Sequence, residues 1–293
     1  MIGGDGRAGI DAALVRRLIA AQFPQWSDLP VTPVEVDGWD NRTYRLGTEL
    51  TVRLPTAEYY TPAIDKEHRW LPVLAPALPV PIPVPLAKGE PGEGYQFHWS
   101  VRRWLDGRTA SPDRIADLPD FAVAVAEFIL ALQRIDPTGG PAAGAHSFHR
   151  GAPPAYYDDE TRQALHRLTG RIDTRRAAEV WSAALAATHT DPPVWFHGDI
   201  AEDNLLVRDG RLTAVIDFGT SGVGDPACDL AIAYTMFAGE SRRAFRAAMA
   251  HDDGAWARAR GWVLWKALIG LADDSFTDLN HRIIAEIFAD HEH

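Results

Sequence analysis

The residues best equipped for chemistry lie in residues 195–229, which read WFHGDIAEDNLLVRDGRLTAVIDFGTSGVGDPACD. Asp199 follows His197-Gly198, Asn204 stands five residues later, and Asp217 opens the triplet Asp217-Phe218-Gly219 thirteen residues beyond that. Asp209-Gly210 between two short apolar runs is a tight-turn signal, because both residues tolerate positive φ. With that pair as the turn, Arg208 faces Arg211 and Asn204 faces Val215. Side chains two apart share a face, so Asn204 and Asp217 become diagonal neighbours with α-carbons roughly 7 to 8 Å apart if the pairing lasts that far. Two converging oxygen donors with no thiolate or imidazole suit magnesium, which keeps waters or phosphate oxygens beside one or two protein ligands. Asp199, on the loop entering the hairpin, is placed to accept a hydroxyl proton. Either triplet alone has little specificity, since Asp and Asn also cap turns; the conjunction across a hairpin is what points to phosphoryl transfer.

These residues need a scaffold. A helix opens at Asp11, an N-cap, carries Leu14, Leu18 and Ile19 on one stripe, and stops at Pro24. Strand patterns follow at residues 31–37, 41–46 and 50–54, separated by Gly38 and Gly47. Ile64, Leu71 and Leu74 lie at helical spacing before Pro76. Residues 79–85 alternate proline with apolar residues, which suits an edge strand or an extended segment, and residues 97–105 read as another strand after a turn-rich stretch at 89–94. Downstream, residues 121–132, 156–168 and 175–187 have helical periodicity, as does a segment opened by Asp225-Pro226. The expected fold is α+β, with a small antiparallel lobe over residues 1–104 and a larger helical lobe over residues 105–293.

The run containing Asp199, Asn204 and Asp217 resembles the signature of the aminoglycoside phosphotransferase family, a branch of the protein-kinase-like superfamily. The similarity extends over residues 37–229, with specific motifs in residues 195–229. It implies a two-lobe kinase-like fold, Asp199 as catalytic base, Asn204 and Asp217 as magnesium ligands, and ATP or GTP as co-substrate. His197 reads as a hydrogen-bonded structural histidine, and Asp225 and Asp229 as caps and loop anchors. Gly38-Trp39-Asp40-Asn41 would be the loop above the phosphates, although it lacks the three-glycine pattern of protein kinases. Where the family carries a phosphate-binding lysine on the third strand, this chain has Arg53, and Glu67 is the expected helix partner. Arg103 and Leu105 fall where backbone groups would pair with the adenine.

Composition narrows the partners. A net charge of −11 over 293 residues argues against nucleic acid and favours a cationic small molecule bearing a hydroxyl. Glu202, Asp203, Asp158, Asp159, Asp273 and Asp274 are the candidate carboxylates for a polycationic acceptor such as an aminoglycoside. The tryptophans of the helical half keep a macrolide, nucleoside or other apolar acceptor open, and a choline-like amine or sugar is a further alternative. Arg53 keeps open a nucleotide-binding module without catalysis. No apolar run spans a membrane, so a cytoplasmic location is expected, and the single Cys228 excludes an internal disulfide. Neither a dinucleotide-binding glycine motif after a strand nor a P-loop is present. Oligomeric state stays open.

Overall fold

The computed structural model describes residues 9–292 other than Val36 and Trp39. The expected start of the chain and part of the loop around Asp40 therefore lie outside the described residues. The chain divides into two compact units. One comprises the stretch up to Pro76, Pro81–Asp106 and Ala214–Gly219; the other comprises Ala77–Val80, Gly107–Thr213 and the chain from Thr220 onward. A single cut after residue 104 does not describe this division, because the segment containing Asp217 groups with the first unit.

Helix α1 (Ala12–Gln22) opens the first unit, capped by Asp11, whose Oδ1 accepts from Leu14 N at 2.8 Å. Strands β1 (Val31–Pro33), β2 (Asn41–Leu46) and β3 (Leu50–Pro55), helix α2 (Thr61–Leu74), and strands β4 (Pro85–Gly89) and β5 (Trp99–Arg103) follow. Among the described residues these strands form one antiparallel sheet in the order β1-β2-β3-β5-β4. Leu14, Leu18 and Ile19 of α1 pack with Leu46, Val52, Trp99 and Val101 to form its core. Of the stretch read as an edge strand or extended segment, only Pro85 joins the ladder, at the start of edge strand β4, since Pro79, Pro81 and Pro83 have no N–H to donate. The strand ends at Gly89, the first residue of the stretch read as a turn, where the backbone packs closely on Trp99. Gly89 permits this, because a Cβ there would lie 1.9 Å from the Trp99 ring. Helix α2 buries Ile64, Glu67, Leu71 and Leu74, so one carboxylate sits on its apolar stripe.

The second unit contains strand β6 (Arg108–Thr109) and helices α3 (Leu118–Gln133), α4 (Asp158–Arg167) and α5 (Thr174–Ala186). Strand β7 (Val194–Phe196) leads into the loop at residues 197–204 and the hairpin of β8 (Leu205–Arg208) and β9 (Arg211–Val215), followed by β10 (Gly222–Gly224). Helices α6 (Ile232–Thr235), α7 (Gly239–Met249), α8 (Asp253–Ala272) and α9 (Thr277–His291) complete it. Asp209 and Gly210 adopt φ of 53° and 76°, the conformation a two-residue hairpin turn demands. Strand β9 ends at Val215 rather than at the expected Asp217, whose own φ is 65°. An aspartate tolerates this left-handed conformation better than the apolar residues before it. Helix α8 packs against α4, α5 and α9, and its residues between Ala255 and Leu268 are buried apart from Arg260 and Lys266.

Candidate active site

In the second unit, residues 197–204 form a loop held by one buried carboxylate. Asp229 accepts from His197 N at 2.8 Å through Oδ2 and from Gly198 N at 2.7 Å through Oδ1. Burial raises the Asp229 carboxyl, against the pull of His197 and these two N–H donors. His197 is buried, its carbonyl accepts from Thr220 Oγ1 at 2.9 Å, and its Nδ1 accepts from Asp199 N at 3.2 Å. Gly198 has φ +87°, and a Cβ there would meet Thr220 Oγ1 at 2.9 Å, so this position requires glycine. The result presents Asp199 with its backbone already bonded. Asn204 Nδ2 donates to Asp199 O at 2.9 Å and to Oδ2 at 3.1 Å, which commits the amide nitrogen and leaves the carbonyl oxygen as the donor for a cation. On its other side, Lys266 Nζ stands 3.7 Å from Asp199 Oδ1.

The first unit gathers charge. Arg53 Nη2 is 3.4 Å from Asp217 Oδ1, while Nη1 is 3.9 Å from Glu67 Oε1. Glu67 takes its short hydrogen bond elsewhere: Arg102 Nη2 donates to its Oε2 at 2.5 Å, and Arg102 Nε donates to Ser100 Oγ at 2.8 Å. Glu67 thus forms an ion pair with Arg53 at 3.9 Å and makes its shorter bond to Arg102. Arg102, 1% exposed, requires a counter-charge, and Glu67 on the buried stripe of α2 supplies it. Burial alone would push Glu67 up, but Arg102 and then Arg53 hold it below the usual carboxylate range. Burial likewise works against the charge on Arg53, yet the Asp217, Glu67 and Asp40 carboxylates outweigh it and raise its pKa. Burial pushes the Asp40 carboxyl up, and the neighbouring Asp217 charge adds to that. Lys66, brought down to about 8 by burial, donates to Gly219 O at 2.6 Å and so ties α2 to the residues after Asp217.

The other expected site residues are distributed as follows. Asn41 is buried at the first position of β2, and Asp40 O accepts from Thr56 N at 2.9 Å. Arg103 ends β5 opposite Leu50, and Leu105 lies in the stretch after it. Glu202 and Asp203 form a 3-10 turn with Asn204; burial and then the Asp203 charge raise the Glu202 carboxyl. Asp158 is already occupied, accepting from Arg162 Nε and Trp181 Nε1, both at 2.8 Å. Asp273 and Asp274 form ion pairs with Arg167 at 3.2 Å and Arg171 at 2.7 Å. Asp159 is exposed near the start of α4. Sequence reading missed Arg102, Lys66 and Lys266 as site residues. The signal for Arg102 was available, because a carboxylate on the apolar stripe of α2 demands a buried cation.

Among the described residues, no group of three or more His, Cys, Asp or Glu is arranged to hold a metal unaided. The donor set present consists of hard oxygens. The crowding of Asp40 against Asp217 leaves an excess of negative charge that a divalent cation would relieve. These residues therefore fit magnesium shared with phosphate oxygens.

Comparison with known proteins places the chain. The sequence model of the phosphotransferase enzyme family matches residues 31–262, and the chain belongs to that family. Its class is therefore that of phosphotransferase enzymes. Its fold is the α+β, protein-kinase-like fold of solved relatives. One is the GDP complex of wild-type aminoglycoside 2'-phosphotransferase-IIIa, at 18% identity and TM-score 0.71, covering 96% of this chain and 99% of that one. Another is macrolide 2'-phosphotransferase MphH from Brachybacterium faecium, at 23% identity and TM-score 0.61, covering 94% and 97%. An aminoglycoside 3'-phosphotransferase from Escherichia coli is 40% identical over 57 residues, a match that spans 19% of this chain and 21% of that relative. No helix among the described residues is long and apolar enough to cross a membrane.

Proposed function

We propose that the protein transfers the γ-phosphoryl group of ATP or GTP to a hydroxyl of a small molecule, an aminoglycoside-like antibiotic or a related metabolite. The observation that carries this reading is the loop in which Asp229 fixes His197 and Gly198 while Asn204 holds Asp199. Asp199 takes the acceptor proton as the acceptor oxygen bonds to the γ-phosphorus. The bond from that phosphorus to the bridging oxygen breaks, and the electron pair leaves with the nucleoside diphosphate. Asn204 would offer its carbonyl oxygen, and Asp217 its carboxylate, to magnesium, with Asp40 beside Asp217. When bound, magnesium neutralises charge on the triphosphate. Arg53 would contact phosphate oxygens through its two-pronged guanidinium, freed for that task because Arg102 takes over the short hydrogen bond to Glu67.

The nucleotide complexes of solved relatives, one with GDP and another with ADP, support a nucleotide co-substrate. Kanamycin and gentamicin complexes support a small-molecule acceptor, and the macrolide enzyme widens the class. Of the candidate acceptor carboxylates, Glu202 and Asp203 stay closest to the chemistry, since they share a turn with Asn204. The cytoplasm, where nucleoside triphosphates are at hand, suits this chemistry. The test is ADP or GDP release across aminoglycosides, macrolides, choline-like amines and sugars. Asp199→Ala lowers kcat about 10² to 10⁴-fold with an unchanged thermal midpoint. Wild-type turnover that survives this substitution defeats the assignment of the base. Magnesium-nucleotide binding without any acceptor-dependent release supports the non-catalytic module instead.

A further inference from the structure

Lys266 is placed where stability gives it little to do. Its side chain is 68% exposed and pairs at 3.7 Å with Asp199 Oδ1, itself on a 38% exposed side chain. An exposed ion pair of that kind contributes little to stability. Yet its position is built. Helix α8 is buried from Ala255 to Leu268 except at half-buried Arg260, which is tied to Asp290, and at exposed Lys266. The preceding residue, Trp265, donates from Nε1 to Glu160 Oε2 at 2.9 Å and stacks on Tyr157 at 3.9 Å between ring centroids. These contacts set the rotation of α8 and therefore the direction from which Lys266 approaches. The other two lysines are engaged in the first unit, Lys66 on Gly219 O and Lys88 on Asp65.

The geometry at Asp199 assigns the lysine a task. Oδ2 already accepts from Asn204 Nδ2, which leaves Oδ1, the atom nearest Lys266, as the more open oxygen for an incoming hydroxyl. For Asp199 to receive that proton, the ammonium group has to move aside. A flexible four-carbon stem lets it do so, and a strongly hydrated point charge moves to the nearest anionic oxygen. We propose, on the kinase reading above, that Lys266 binds an anionic oxygen at the reacting centre, exchanging Asp199 for it as the acceptor enters. That oxygen belongs either to the transferring phosphoryl group or to an acidic substituent beside the acceptor hydroxyl. In the second case an ammonium group next to the reacting hydroxyl is disfavoured, which narrows the class of acceptor.

The full-length protein and its Lys266→Met and Lys266→Arg variants are titrated calorimetrically with four ligands. These are the magnesium complexes of a non-hydrolysable triphosphate analogue and of the diphosphate, then a neutral sugar and its sugar acid in the presence of magnesium diphosphate. If the phosphoryl group is the source, Lys266→Met weakens the triphosphate analogue about 10- to 100-fold, leaves the diphosphate within about twofold, and Lys266→Arg restores most of the loss. If an acidic acceptor is the source, the same loss falls on the sugar acid alone. The proposal is overturned if Lys266→Met binds all four as the wild type does. It is equally overturned if all four weaken together with a lowered thermal midpoint, which marks a structural role. Wild-type protein that binds no magnesium nucleotide refutes the kinase reading itself, a result distinct from either.

Discussion

The loop at residues 197–204 of the second unit and the charged cluster of the first hold their side chains by opposite means. Around Asp199 the fastening is mostly neutral: two backbone N–H groups on Asp229, one on His197 Nδ1, and an amide on Asp199 itself. Around Asp217 it is ionic, with Arg53 shared between Asp217 and Glu67 while Arg102 carries Glu67's short bond. Backbone donors are fixed by chain geometry, so the first arrangement keeps one shape whatever binds. Balanced charges in a partly buried cluster shift when a new charge arrives. In the proposed reaction, the base that must stand ready is the group held rigidly, and the groups proposed to meet a polyanion and a cation are held by charges such ligands can replace.

The contrast is broken most severely at Arg102. Arg102→Met leaves the buried Glu67 carboxylate with Arg53 at 3.9 Å and the weaker pull of Lys66, and the expected loss is about 3 to 5 kcal/mol in urea unfolding. Adding Glu67→Gln recovers most of it, because neither charge is then left unpaired. A single variant within about 1 kcal/mol of wild type removes the claim that ion pairing organises this cluster. The corresponding test of the loop is Gly198→Ala. At φ +87°, with Thr220 O 3.0 Å from the new Cβ, the substitution costs about 1 to 3 kcal/mol and lowers kcat with nucleotide binding unchanged. Equal loss of nucleotide binding denies that the two regions are held independently.

How much of this could be read in the sequence depends on how local each cause is. The hairpin was legible because the Asp209-Gly210 turn and its flanking strands span only a few residues. The α1 cap at Asp11 and the buried stripe of α2 were legible for the same reason, since caps and periodicity are properties of neighbours in the chain. Pairings across the fold were not. Arg102 reaches Glu67 across 35 positions and Lys266 reaches Asp199 across 67, and both depend on strand register and helix rotation that no local pattern specifies. The Asp158, Asp273 and Asp274 carboxylates misled for a related reason. Their arginine partners lie on α4 or in the turn that follows it, so composition counted the charge without showing it was neutralised.

The smallest expected effect distinguishes the two regions by pH. His68 follows Glu67 on α2, and its buried Nε2 has no hydrogen-bond partner. Burial, reinforced by the Arg102 charge, lowers His68 from an ordinary 6.5 to about 4. Below pH 6.5 the unfolded chain therefore takes up a proton that the folded protein refuses until about pH 4. The unfolded state binds more protons across that window, so stability falls as pH falls through it and is unaffected by this group above it. At pH 5 the contribution is about 1 kcal/mol after allowance for solvent screening. Many carboxylates also titrate on the way down, so the readout is a difference. His68→Gln loses less of its thermal midpoint between pH 7 and pH 5 than wild type does, with the two curves converging above pH 7. Parallel curves would mean that the protein accommodates a charged His68 beside Arg102, and that the cluster tolerates added positive charge more readily than its ion pairing implies.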